Sequence, residues 1–164
     1  MTPLPGALGG VELVSWRLER EIYAATWNVG EGAYLFGGRW SSPGRRVLYT
    51  SIDPATAVLE VAVHKGFVVL DSIAHTLLQL RIEASAVHVV ELESIANPNW
   101  LCSGVVSPNQ QKFGDTLLDR YSILALPSVV SRHSWNLIVD IPSAQGKFAL
   151  IQQERFALDT RLSA

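Results

Sequence analysis

Sulfur is scarce in this chain, which has one cysteine, Cys102, and one methionine, Met1. A lone thiol cannot close an internal disulfide, and the scarcity suits a reducing compartment. An excess of either charge is missing as well: thirteen basic residues face fifteen acidic ones, for a formal net charge of −2. The whole molecule therefore has no long-range attraction for nucleic acid or an anionic membrane surface, and any phosphate it binds must meet a local cluster of cations. No stretch of about 18 uncharged apolar residues is available to cross a bilayer, because His64, Lys65 and Asp71 interrupt the longest candidate. The opening MTPLPGALGG lacks the basic and apolar regions of a secretory signal. These absences lead us to expect a soluble, cytoplasmic protein with no membrane and no direct nucleic-acid contact.

Several chemical signatures are missing too. Neither HExxH nor CxxC occurs, and the histidines at 64, 75, 88 and 133 are scattered, so no metal site is expected. The glycines form no GxGxxG and no phosphate-cradling GxxxxGK motif. Cys102 has no histidine nearby in the sequence, and Ser128 lacks the GxSxG setting of a nucleophile elbow.

What is present is a foldable chain. Of its 164 residues 48% are hydrophobic and only 17% charged, with five tryptophans, which excludes disorder and leads us to expect one domain over 11–164 behind a flexible segment over 1–10. Val11–Arg17, Val47–Ser51, Leu77–Glu83, Val87–Leu92, Trp135–Asp140 and Phe148–Gln152 read as strands. The glycines from Gly30 to Gly38 predict a loop. Asp53-Pro54 predicts a helix start and Gly66 its end. Asn97–Asn109 reads as a polar loop, and Lys112–Ala125 as a helix before the Leu126-Pro127-Ser128 break. Many strands, few helices and no regular βα alternation predict an α+β fold around a mixed, mostly antiparallel sheet with flanking helices.

One residue breaks the pattern. Glu60 sits mid-helix in the aliphatic run Val58-Leu59-Glu60-Val61-Ala62-Val63, where a carboxylate costs free energy unless it is paired or used. It is either a solvent-facing charge or a half-buried group that needs hydroxyl donors, such as those of a ribose. Taken singly, Arg17, Arg39 and Tyr49 read as a surface cation, a salt-bridge partner and a core aromatic.

The order of the pieces adds more. Gly30-Glu31-Gly32-Ala33, Gly37-Gly38-Arg39-Trp40, Val47-Leu48-Tyr49-Thr50-Ser51 and Pro54-Ala55-Thr56-Ala57-Val58-Leu59-Glu60-Val61 with His64 come first. Asn97-Pro98-Asn99-Trp100, Phe113-Gly114-Asp115, Leu126-Pro127-Ser128, Asn136-Leu137-Ile138 and Phe156–Leu162 follow. From about Trp16 to Leu162 this succession resembles the RES domain family, toxins of bacterial RES–Xre toxin–antitoxin pairs. The sequence departs from the family pattern at Ser41, where Asn is usual, at Leu117, where Trp is common, and at Val139-Asp140. The resemblance implies an ADP-ribosyltransferase-like fold and consumption of NAD+ as substrate, with cleavage of the nicotinamide–ribose bond by hydrolysis or phosphorolysis. It also leaves open transfer of ADP-ribose to a host protein, or a catalytically inactive binding module.

The implied catalytic residues are Glu60, Tyr49, Arg39 and Ser128, and the implied NAD+-binding residues are Arg17, Arg39, Tyr49 and Ser128. Glu60 would stabilise the positive charge that develops on the ribose. Tyr49 would stack on the nicotinamide, the arginines would meet the pyrophosphate, and Ser128 would position a ribose or amide group. A cognate Xre/DUF2384-type antitoxin, in a hetero-oligomer with this chain, is the implied protein partner.

Overall fold

The computed structural model describes residues 12–162 apart from positions 103 and 105. The segment expected to be flexible over 1–10, and Val11 of the expected first strand, lie outside the described residues. Seven strands form one sheet: β1 Glu12–Arg20, β2 Val47–Ser51, β3 His75–Glu83, β4 Val87–Val89, β5 Ile123–Pro127, β6 Trp135–Asp140 and β7 Phe148–Phe156. Their spatial order is β4-β5-β6-β2-β1-β3-β7. Only β4 and β5 run parallel; the other pairs are antiparallel. The helices among the described residues are α1 Glu31–Phe36, α2 Pro54–Lys65, α3 Phe67–Ser72 and α4 Pro108–Leu118. The α+β class with a mostly antiparallel sheet is therefore the one found. No helix of the described residues is long and apolar enough to cross a membrane.

α2 is defined by its ends. The Asp53 carboxylate accepts from the Thr56 backbone N–H at 2.7 Å, Pro54 occupies the first turn, and Gly66 closes the helix at φ +81° with its N–H on Ala62 O. Three expectations are corrected. Gly30–Gly38 is not all loop, because Gly30 at φ +68° and Gly37 at φ +70° act as the two boundaries of α1. The helix expected over Lys112–Ala125 is α4, which starts at Pro108 and ends at Leu118, and Ile123–Ala125 belongs to the fully buried strand β5. A continuous apolar run carries no periodicity, so Ile-Leu-Ala-Leu reads equally well as strand or helix. The strand expected over Val87–Leu92 ends at Val89, and Leu92–Ser94 is a 3-10 turn.

Alternation along the strands sorts the apolar residues onto two faces. One face carries a continuous core built from Leu13, Leu48, Leu78, Leu80, Ile82, Ala125, Leu137 and Val139. The other face is divided. Val47, Leu124, Leu126 and Ile138 pack with Trp40, Trp100 and Leu118 on one side, and Leu18 and Leu77 pack with Ala62 of α2 and Leu70 of α3 on the other. Polar side chains fill the seam between these two clusters.

Candidate active site

The seam begins where the sheet divides. β1 and β2 share a single register pair, Trp16 with Ser51. Beyond it β1 continues against β3 through Arg20, while β2 runs back to Val47 against β6. The two strands part there, and the Arg17 guanidinium spans the opening by donating from Nη1 to the Tyr49 carbonyl oxygen at 3.0 Å. Glu19 holds the same guanidinium through Nε at 3.1 Å and Nη2 at 2.5 Å.

Glu60 projects from α2 onto this seam and is half-buried. Ser128 Oγ donates to its Oε1 at 2.9 Å, and Asn136 Nδ2 donates to the same oxygen at 2.5 Å. Ser128 has no exposed surface and is fixed from three directions. Pro127 precedes it, its N–H donates to Ser134 O at 2.9 Å, and its Oγ accepts from the Ser131 N–H at 3.1 Å. Asn136 lies opposite Ser51 in the β2–β6 register, and Ser51 Oγ donates to its Oδ1 at 2.7 Å. The turn carrying Ser128 is anchored to the start of α2, because Ser134 Oγ donates to Asp53 at 2.5 Å. Burial pushes the Asp53 carboxyl up, but the donors from Ser134 and Thr56 outweigh it and leave the group below its ordinary value.

Tyr49 lies on the same face of β2 as Ser51, and its hydroxyl turns toward the segment after α1. That hydroxyl accepts from the Trp40 N–H at 3.1 Å and lies 2.9 Å from Ser41 Oγ. A Cβ on Gly38 would overlap the hydroxyl, so only glycine admits the ring at this position. Burial pushes the Tyr49 phenol up to about 12, against the opposing influence of Ser41, the Trp40 N–H and the Arg39 charge. Arg39 Nη1 donates to the carbonyl oxygens of Trp100 and Cys102, both at 3.2 Å. The same loop is tied to α4 by Asn97 Nδ2 donating to Gln110 Oε1 at 3.0 Å.

The structure thus joins Glu60 directly to Ser128, sets Tyr49 on the same sheet face as Ser51, and ties Arg39 to the carbonyls of Trp100 and Cys102, whereas Arg17, opposite Leu78 in the β1–β3 register, stands on the continuous-core face and meets β2 only at the Tyr49 carbonyl. Asn136 and Ser51 were not among the site residues expected from sequence. Ser51 closes the Val47–Ser51 strand and Asn136 opens the Asn136-Leu137-Ile138 block, but it is the register, not a local pattern, that sets them opposite each other. Among the described residues no three His, Cys, Asp or Glu side chains are grouped to hold a metal ion. A hollow of about 360 Å³ lined by Trp27, Ile141 and Phe148 lies against the opposite, continuous core, away from this seam.

Chemically, the arrangement is a single carboxylate held in place by two neutral donors, with the Tyr49 phenol on the same face of the sheet. It can stabilise positive charge arising on a bound molecule.

Comparison with known proteins bears on the family and the fold. The family model described as RES domain matches residues 14–159. The chain is 32% identical over 153 residues to a protein of Pseudomonas putida named Toxin Res, covering 92% of this chain and 99% of that one. A Toxin Res of Photorhabdus laumondii is 30% identical over 155 residues, covering 92% and 97% of the two chains. Among solved structures, a chain of the Mycobacterium tuberculosis MbcT–MbcA toxin–antitoxin complex superposes with a TM-score of 0.73 at 18% identity, covering 89% of this chain and 85% of that one.

Proposed function

The chain belongs to the RES domain family, and from that premise we propose that it is the toxin of a toxin–antitoxin pair and acts by breaking the bond between nicotinamide and ribose in NAD+. The observation that carries this reading is the half-buried Glu60, bracketed by Ser128 and Asn136 in an otherwise aliphatic stretch of α2. As the bond breaks, its electron pair leaves with the nicotinamide and the ribose ring becomes cationic. A fixed carboxylate beside the sugar favours that state over the ground state, which is what lowers the barrier. The Tyr49 ring stacks on the departing nicotinamide. Arg39 meets the pyrophosphate, exchanging its carbonyl partners for phosphate oxygens, while Arg17, on the other face of the sheet, steadies the β1–β2 junction through the Tyr49 carbonyl. Water or phosphate then adds to the ribose carbon, and the proton lost from a water nucleophile passes to solvent.

Loss of NAD+ would harm the cell that makes the enzyme, so the reading requires a neutralising antitoxin. We assign that role to an Xre/DUF2384-type protein bound to this chain, in keeping with the two-protein complex in which the M. tuberculosis neighbour was solved. The near-neutral charge of this chain fits DNA contact made by the partner.

The test is nicotinamide release from NAD+ by purified protein without antitoxin. Glu60→Gln should lower the rate by roughly 10²–10³. An inactive wild type, or a Glu60→Gln variant as fast as wild type, would overturn the proposal. If labelled NAD+ instead marks a second protein with little free ADP-ribose formed, protein modification replaces NAD+ breakdown as the activity.

A further inference from the structure

We infer that Asn136, oriented by Ser51, is a positioning residue that divides the labour of the Glu60 carboxylate, committing Oε1 to the protein and presenting Oε2 to the substrate sugar. The inference rests on the NAD+-cleaving reading above and specifies how its catalytic carboxylate is aimed.

The hydrogen bonds run in one direction. Ser51 is 2% exposed, and its Oγ donates to Asn136 Oδ1 at 2.7 Å. An amide has one accepting and one donating end, so with Oδ1 engaged by Ser51 the donating Nδ2 faces Glu60, which it reaches at Oε1. The reversed amide would set two acceptors against each other. Ser128 acts on the same oxygen from the end of β5, and because its Oγ already accepts from the Ser131 N–H, its proton is committed to Glu60. Two donors therefore converge on Oε1 and hold that oxygen in place. Oε2 lies outside this bracket, on a carboxylate whose position is held from β2, β5 and β6 together. Such rigidity is what charge stabilisation in a transition state requires, because a group that must reorient during the reaction loses much of its effect.

Asn136→Asp changes one NH2 into an oxygen while keeping the shape. The variant places two carboxylates together, and like charges at this distance share one proton, so the pair gives up its last proton above the ordinary carboxylate range. While that proton is present, the introduced carboxyl donates to Oε1 as the amide does; once it leaves, the two groups repel and Glu60 is no longer aimed. The variant should therefore lose about 10-fold or more in kcat at neutral and alkaline pH, with KM changed by less than about threefold, and should regain activity on acidification. Wild type lacks the second carboxyl and should show no such recovery on acidification. The other ionisable groups on the elements that meet there are Asp53 and His64 on α2, Tyr49 on β2, Asp140 on β6, and Arg132 and His133 in the β5–β6 turn. All are retained in the variant, so a pH limb found only there belongs to the new pair.

Ser51→Ala, which frees the amide to reverse, should lower kcat about 3- to 10-fold, and Ser51→Thr, which restores a hydroxyl, should recover most of it. Steady-state nicotinamide release against pH and NAD+ concentration measures all of these, with cooperative urea unfolding as the check on folding. An Asn136→Asp profile parallel to wild type, a silent Ser51→Ala, or effects confined to KM would overturn the inference while leaving the NAD+ reading intact. A wild type that releases no nicotinamide would overturn both. If Asn136→Asp fails to fold, the Ser51 pair decides the question alone.

Discussion

Gly38→Ala tests the seat of Tyr49 most directly. The added Cβ would lie 2.5 Å from Tyr49 Cζ and 2.7 Å from Cε2, with the hydroxyl oxygen nearer still, whereas ordinary van der Waals contact begins at 3.4 Å. The ring must therefore withdraw by about 0.9 Å, the difference between 2.5 and 3.4 Å. Its hydroxyl now sits 3.1 Å from the Trp40 N–H and 2.9 Å from Ser41 Oγ, and a displacement of that size breaks both contacts. Each is worth about 1 kcal/mol net, and leaving the Trp40 N–H unpaired beside a buried indole adds roughly 1–2 kcal/mol more, for a total loss of about 3 kcal/mol. That is a large share of the roughly 5–15 kcal/mol by which domains are stable. Urea unfolding at constant slope measures the loss. The control is the same substitution in a Tyr49→Leu background, where no ring remains to collide and Gly38→Ala should cost under about 0.5 kcal/mol. If Gly38→Ala matches wild type, or costs the same in both backgrounds, then glycine at this position has nothing to do with the tyrosine.

Two further outcomes follow from the same contacts. The Tyr49 phenol is raised from 10.0 to about 12 in the folded protein, so the fold holds its proton more tightly than the unfolded chain does. The stabilisation, roughly 2–3 kcal/mol, is fully present below pH 10 and is lost as pH rises through about 12; the difference in urea midpoint between wild type and Tyr49→Phe, followed from neutral to alkaline pH, should shrink over that range. Arg45 reaches Asp115, Asp119 and the buried Asp140, joining the segment before β2 to α4 and β6. Arg45→Met should destabilise the protein by about 1–3 kcal/mol by leaving the Asp140 charge with only its Ser143 donors, and thermal unfolding of Arg45→Met alone and together with Asp140→Asn, where the loss should be smaller, checks it.

Local chemistry made part of this molecule legible in advance. β2, β6 and α2 fall where their residues predict, because a β-branched and aromatic run, an alternating run and an Asp-Pro…Gly pair each carry their own boundaries. α1 was hidden by its glycines, which read as a loop although two of them serve as its ends. β5 was hidden by being buried on both faces, which erases alternation. The site divides in the same way. Glu60 announced itself as a charge among aliphatics, and Ser128 came with the family pattern. The partnership of Asn136 with Ser51 depends on strand register, which no local pattern specifies, and the carbonyl partners of Arg39 depend on where the 97–102 loop returns.

Strand register also explains why so small a site can be held firmly. Ser51 meets Asn136 because β2 and β6 pair Val47 with Asp140 through Ser51 with Asn136. A slip of one residue would turn Ser51 and Tyr49 to the other side of the sheet and bring Leu48 and Thr50 to the seam. Both faces of β2 are packed, Leu48 in the continuous core and Val47 with Tyr49 in the tryptophan cluster, so a slip would exchange apolar for polar contacts on both faces at once. The same strand leaves β1 after one pair, because beyond Trp16 and Ser51 the first strand follows β3 and the second follows β6. The packing that fixes the register thus fixes the alignment of Ser51 with Asn136, and through Asn136 the carboxylate that Ser128 holds from the end of β5. Substitutions in β2 that loosen either core face should accordingly reduce turnover before they abolish folding, since a loss of register disorganises the seam while most of the sheet remains paired.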